Sequence, residues 1–405
     1  MKSGERALAV MLDADGCIYN YNYTMMLLML IFKYSDQIKQ LAKSDRQHHP
    51  EKKTFADKLM AEIKSVNPVD FTDDLCNMWL DHLTLHGRID DADIRADSLK
   101  YRDDHYKPVV RQYMRYLSNI HPDIMMCIIY QANQGLFERI VNQATSEQCA
   151  GVVLMVGSNR QSAEEDMNNS KWNATGLFFH DLHELTRYLN TIYHHKISFS
   201  LDRFLMADAY NNLHPGESYR RALQQPHGHP YSVFDKSKVS IVFAFMHHIK
   251  RNYPGVYLVK FFDDLKEIPR LLKNIIEDCG HRAVLPKDLP LKLIMYNGEF
   301  VRQGVDKADV ELMGSGELDH DIYDSVMTMA RLSGANLENI HCCAVSHNIA
   351  VKLDFEVFAA RFLPEVNETP VRLNLEVLER CRLLFFSGIV AAHLEPDNSP
   401  SKRLT

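Results

Sequence analysis

Five short apolar runs, at residues 8–12, 124–130, 152–156, 256–262 and 291–296, set the tightest limit on how this chain folds. Each has the length of a strand and ends in small, polar or acidic residues. Several are apolar nearly throughout, as expected of strands that helices cover on both faces of a parallel sheet. Helical patterns lie between them, for example at 135–144 and 240–249. The succession predicts an α/β fold with a doubly wound, mostly parallel five-stranded core. Such cores hold their ligands beyond the carboxyl ends of the strands.

With 405 residues the chain is too long for one ordinary domain, so the core is expected to carry accessory modules. The core is assigned to 1–20, 119–160 and 231–305. Residues 21–118 read as amphipathic helices and are expected to form a helical cap insertion. A second, mixed insertion is placed at 161–230, where NNS, NNLHPGES and QQPHGHP are loop signals. Residues 306–405 are expected to form a helical C-terminal appendage that ends in a disordered polar tail, EPDNSPSKRLT.

Lys plus Arg number 46 against 53 Asp plus Glu, a net charge of −7 that provides no basic field for nucleic acid. The eight cysteines form no C-x-x-C pair and sit mostly in apolar runs, which fits reduced thiols and a cytoplasmic location. No apolar run approaches the roughly 18–20 residues that span a bilayer, so no membrane span is expected.

The first run ends in Leu12-Asp13-Ala14-Asp15-Gly16. Two carboxylates crowded at a strand end repel each other unless a cation or hydrogen bonds offset their charge. Residues two apart on a strand point the same way, so both can address one site, with Gly16 permitting the sharp exit. The fourth run ends in a second acidic pair, Asp263-Asp264. In a parallel sheet that end lies on the same edge as Asp13, which predicts an oxygen-rich cluster suited to Mg2+. Upstream, Asp235-Lys236-Ser237-Lys238 opens a helical run, and a lysine there can set positive charge against a phosphate.

This pattern resembles the haloacid dehalogenase-like (HAD-like) superfamily of aspartate-nucleophile phosphohydrolases over roughly 1–20, 119–160 and 231–300. The resemblance implies a HAD-like core with Asp13 as the nucleophile and Asp15 as the general acid/base. It implies Mg2+ held by Asp13, by the backbone carbonyl of Asp15 and by Asp263, with Asp264 nearby. The lysine is Lys236 or Lys238, with Lys236 preferred. The family's second motif is a strand ending in Ser or Thr. By strand order it should follow 124–130, where Gln131 departs from the pattern and its amide, or that of Asn133, is left to meet a phosphate oxygen. Ser158 in Val156-Gly157-Ser158-Asn159 supplies the hydroxyl but ends the strand counted as third.

A cap between the first two motifs favours a small phosphorylated metabolite as substrate. The alternative is an interaction protein on a retained HAD scaffold, binding a protein partner through 306–405. GSNRQS, DKSKVSIVFAFMHHI and FFDDLKEI are also similar to HAD-like type IV secretion effectors of intracellular bacteria, which implies translocation into a host cell. His341-Cys342-Cys343 with His347 is a poor zinc site, because adjacent cysteines do not present tetrahedral ligands easily.

Overall fold

The computed structural model describes residues 4–44, 50–101, 105–224, 235, 238–278, 281–300 and 309–332. After β1 (Ala7–Leu12) the chain runs through seven helices: α1 (Tyr21–Ala42), α2 (Pro50–Ser65), α3 (Asp73–His86), α4 (Ala92–Tyr101), α5 (Tyr106–Ile120), α6 (Asp123–Ala132) and α7 (Gln134–Ser146). It returns to the sheet as β2 (Gly151–Val156), followed by α8 (Ala163–Asn173), α9 (Phe178–Tyr193) and β3 (Ser198–Leu201). Three helices, α10 (Met206–Tyr210), α11 (Glu217–Gln224) and α12 (Val239–Asn252), precede β4 (Val256–Asp263). The described chain ends with α13 (Glu267–Lys273), β5 (Leu291–Met295), β6 (Asp309–Leu312) and α14 (Ile322–Leu332).

The six strands form one sheet in the order β3-β2-β1-β4-β5-β6, parallel except where β6 runs antiparallel to β5. Every residue of β1 is buried, because successive side chains enter opposite cores. Leu8, Val10 and Leu12 join a cluster with α1, α2, α5, α6, α7 and α9. Ala7, Ala9 and Met11 join a second cluster with α12, α14 and the segment after β4. Helices therefore cover both faces. Among the described residues, no helix is long and apolar enough to cross a membrane.

Four of the five expected strands form where the apolar runs predict them. The fifth does not: 124–130 lies inside α6. A run that is apolar all round and buried on all sides suits an interior helix as well as a strand, and α1, α2, α5 and α9 surround this one. Two edge strands replace it. β3 falls in the expected second insertion and buries only Phe199 of its four residues, so it carries little apolar signal. β6 falls in the expected appendage and alternates charged with apolar residues, as an antiparallel edge strand does. Among the described residues the sheet thus has six strands, and parts of 161–230 and 306–405 belong to it. Residues 21–118 are helical in their described parts, as expected. His341, Cys342, Cys343 and His347 lie outside the described residues.

Candidate functional site

Strand order reverses between β1 and β4: the chain proceeds outward through β2 and β3 on one side, and through β5 and β6 on the other. Crossovers leaving in opposite directions open a crevice at the carboxyl ends of the two central strands. Asp13 directly follows β1 and Asp263 ends β4, and the Asp13 amide donates to the Phe262 carbonyl at 3.0 Å. Both share the parity of Met11 and Phe261, which face the α12 side.

Lys238 caps the start of α12 and reaches into this crevice. Its Nζ donates to Asp13 Oδ1 at 2.8 Å and to Asp263 Oδ2 at 2.6 Å, with all three side chains buried. Its backbone is left-handed, with φ +56°. That conformation is unusual for a side chain with a Cβ and costs roughly 1–2 kcal/mol. It is held on the Asp235 side: the Lys238 amide donates to the Asp235 carbonyl, and Asp235 Oδ2 accepts from the Ser240 amide and hydroxyl at 2.7 and 2.6 Å. Lys238 is therefore the lysine at the carboxylates, and Lys236 lies outside the described residues.

Asp13, Asp263 and Asp264 each offer one carboxylate oxygen within 4.8 Å of the others. Gly16 makes room for this group. Its φ is +75°, and a Cβ there would stand 2.1 Å from Asp264 Oδ2. Burial pushes the Asp13 carboxyl up to about 7, with Asp263 and Asp15 adding repulsion and Lys238 opposing. Burial, then Asp263, raises Asp264 to about 6. Burial works against the Lys238 charge, yet Asp13 and Asp263 outweigh it and hold the ammonium above its ordinary value. Three carboxylates against one ammonium leave a formal deficit of two positive charges. An all-oxygen donor set with that deficit suits a hard divalent cation.

Asp15 does not turn toward this cluster's lysine. Arg160, a residue the sequence reading passed over, grips both its oxygens, with Nε 3.0 Å from Oδ2 and Nη2 on Oδ1. Nη1 of Arg160 donates to Asp166 Oδ1 at 3.0 Å and to the Gly176 carbonyl at 3.2 Å, and Nη2 also donates to Thr175 Oγ1 at 2.8 Å. Its four partner residues lie at 15, 166, 175 and 176, too dispersed for any local motif to reveal. The one available signal was a basic residue two places after Ser158.

The expected phosphate-contacting residues separate. Asn133 is fully buried, and its amide is used up within the fold. It donates to the Ile18 and Ile129 carbonyls, both at 2.9 Å, and accepts from Asn20 and Tyr296 at 2.8 and 3.0 Å. These four bonds tie the loop after β1, α6 and the residue after β5 together. Gln131 sits in the last turn of α6 instead of at a strand end, and donates to Gln134 Oε1 at 2.8 Å. Ser158 follows the end of β2 by two residues. With 124–130 helical, β2 is the second strand in the chain, and its end lies beside that of β1, with Val156 opposite Leu12 and the Gly157 amide on the Leu12 carbonyl at 2.8 Å.

No protein-family model, curated protein or solved structure matches the chain.

Proposed function

We propose that this chain is a Mg2+-dependent phosphomonoester hydrolase built on a doubly wound HAD-like core, with Asp13 as its nucleophile. The observation that carries the reading is the meeting of Asp13, Asp263, Asp264 and Lys238 at the crevice between β1 and β4. Asp13, Asp263 and Asp264 would hold Mg2+, with the Asp15 carbonyl as a further ligand, and the ion would lessen the repulsion between carboxylate and phosphate.

On this reading Asp13 attacks phosphorus, the bond to the leaving oxygen breaks, and Asp15 gives that oxygen a proton. Water then attacks the aspartyl phosphate and passes a proton to Asp15, releasing phosphate and restoring Asp13. Lys238 supplies fixed positive charge beside the attacking carboxylate, and Ser158, just past β2, would donate its hydroxyl to a phosphoryl oxygen. The substrate is a small phosphorylated metabolite.

One observation favours a second reading, an interaction protein on a retained HAD scaffold, of which a secreted effector is one form: both Asp15 oxygens are engaged by Arg160. One experiment decides between them. Phosphate release from p-nitrophenyl phosphate and a panel of phosphorylated metabolites is measured with and without Mg2+ for wild type and Asp13→Asn. The hydrolase reading expects Mg2+-dependent turnover that falls by about 1,000-fold or more in the variant. Equal inactivity of both proteins across the panel leaves the scaffold reading standing.

A further inference from the structure

We propose that Arg160 is a positioning residue for Asp15, fixing that carboxylate for proton transfer from a mount that runs through Asp166 into the start of α9. The proposal rests on the hydrolase reading and adds to it the group that aims its acid/base.

An arginine carries five N–H donors, and all five of Arg160 are satisfied within the protein: two by Asp15, one each by Asp166, the Gly176 carbonyl and Thr175. With its side chain 1% exposed and no donor left over, it cannot also bind a substrate phosphate. What it presents outward is the Asp15 carboxylate, which is 32% exposed. Behind it the mount is itself hydrogen-bonded. Asp166 is buried and accepts the Phe178 and Phe179 amides, at 2.8 and 3.1 Å, which are the first free donors of α9. The guanidinium also lies 5.4 Å from the centre of the Tyr19 ring, whose hydroxyl donates to Asp181 at 2.6 Å. Tyr19 in turn bridges back to Asp15. The loop after β1 is thus fastened to the 160–181 segment at both of its ends.

Fork-to-carboxylate pairing fixes the plane and direction of the acid as well as its place, and a lysine offers only a point charge. Proton transfer demands that accuracy, since a misplacement of about 1 Å can cost 100-fold in rate.

The test compares wild type with Arg160→Lys on two substrates, p-nitrophenyl phosphate and an alkyl phosphate that the enzyme turns over. Nitrophenolate leaves without a proton, whereas an alkoxide needs one. Arg160→Lys is expected to lower kcat/KM for the alkyl ester ten- to 100-fold, and for the nitrophenyl ester by less than about threefold. Equal losses on both esters, or no loss on either, overturn the proposal. If Arg160→Lys does not fold, Asp166→Asn, which keeps the arginine and cuts its buried tether, is read on the same pair with the same expectation. If wild type hydrolyses no phosphomonoester, the hydrolase reading fails on its own. The mount is then read from urea midpoints of wild type, Asp15→Asn, Arg160→Lys and the double variant: non-additive shifts support the pairing, and additive shifts overturn it.

Discussion

Lys238 neutralises only part of the charge that the ends of β1 and β4 bring together, and the imbalance has a pH signature. Asp13 and Asp264 titrate near 7 and 6 in the fold, against 3.8 for an ordinary aspartate, with burial as the leading cause for both. A carboxyl whose pKa is raised by folding favours the native state most at low pH. That contribution is complete below about pH 4 and is lost as pH rises through 6 and 7. A divalent cation acts in the opposite sense, because it binds only the deprotonated group. The gain in thermal midpoint on adding Mg2+ is therefore expected to be small at pH 5 and to grow by several degrees by pH 8. Scanning calorimetry at both pH values, with and without Mg2+, checks this. A gain of equal size at the two would remove these carboxylates as the ion's ligands.

At the scale of elements, α12 decides the site because its first residues hold the lysine. Asp235 does for this helix what a capping side chain does, accepting the Ser240 amide, while its carbonyl accepts the amide of left-handed Lys238. Asp235→Ala is expected to destabilise the fold by about 1–2 kcal/mol and to lower phosphatase turnover several-fold without touching any expected metal ligand. Urea denaturation and steady-state kinetics measure the two effects, and intact stability would mean that α12 is held by packing alone. The same element shows why the lysine was not legible in the sequence. Lys236 and Lys238 are equivalent by helical spacing, and only a left-handed turn at Lys238, for which a lysine gives no local signal, turns its ammonium onto Asp13 and Asp263. The acidic pairs were legible because each follows an apolar run directly, so strand and site are written in one stretch of sequence. The strand-end positions of Gln131 and Asn133 were not legible in the sequence, because an apolar run at 124–130 fits a buried helix as well as a strand and α6 is the outcome.

For the whole molecule, the central strands announce themselves because they are buried on both faces, while the edges of the sheet do not. β3 and β6 are four residues long and half covered, which leaves composition nothing to register. The consequence reaches the C-terminal region, where the sequence suggests a helical appendage over 306–405. Leu312 of β6 is fully buried, as are Val326 and Met329 of α14, and Ile322 is nearly so; all four belong to the cluster that also holds α12 and β5. At roughly 1.5–3 kcal/mol for each such side chain, they contribute about 6–12 kcal/mol, on the scale of the total stability of a domain. Removing β6 also leaves β5 as an uncovered edge, paired with β4 alone, and opens the sheet to pairing with other chains. A chain ended at residue 305 is therefore expected to lose cooperative unfolding and to associate, as seen by thermal denaturation and light scattering against the full chain. If it melted as a monomer at the full-length temperature, β6 and α14 would be dispensable to the core, and α12, with Lys238 at its head, would owe its position to the strands alone.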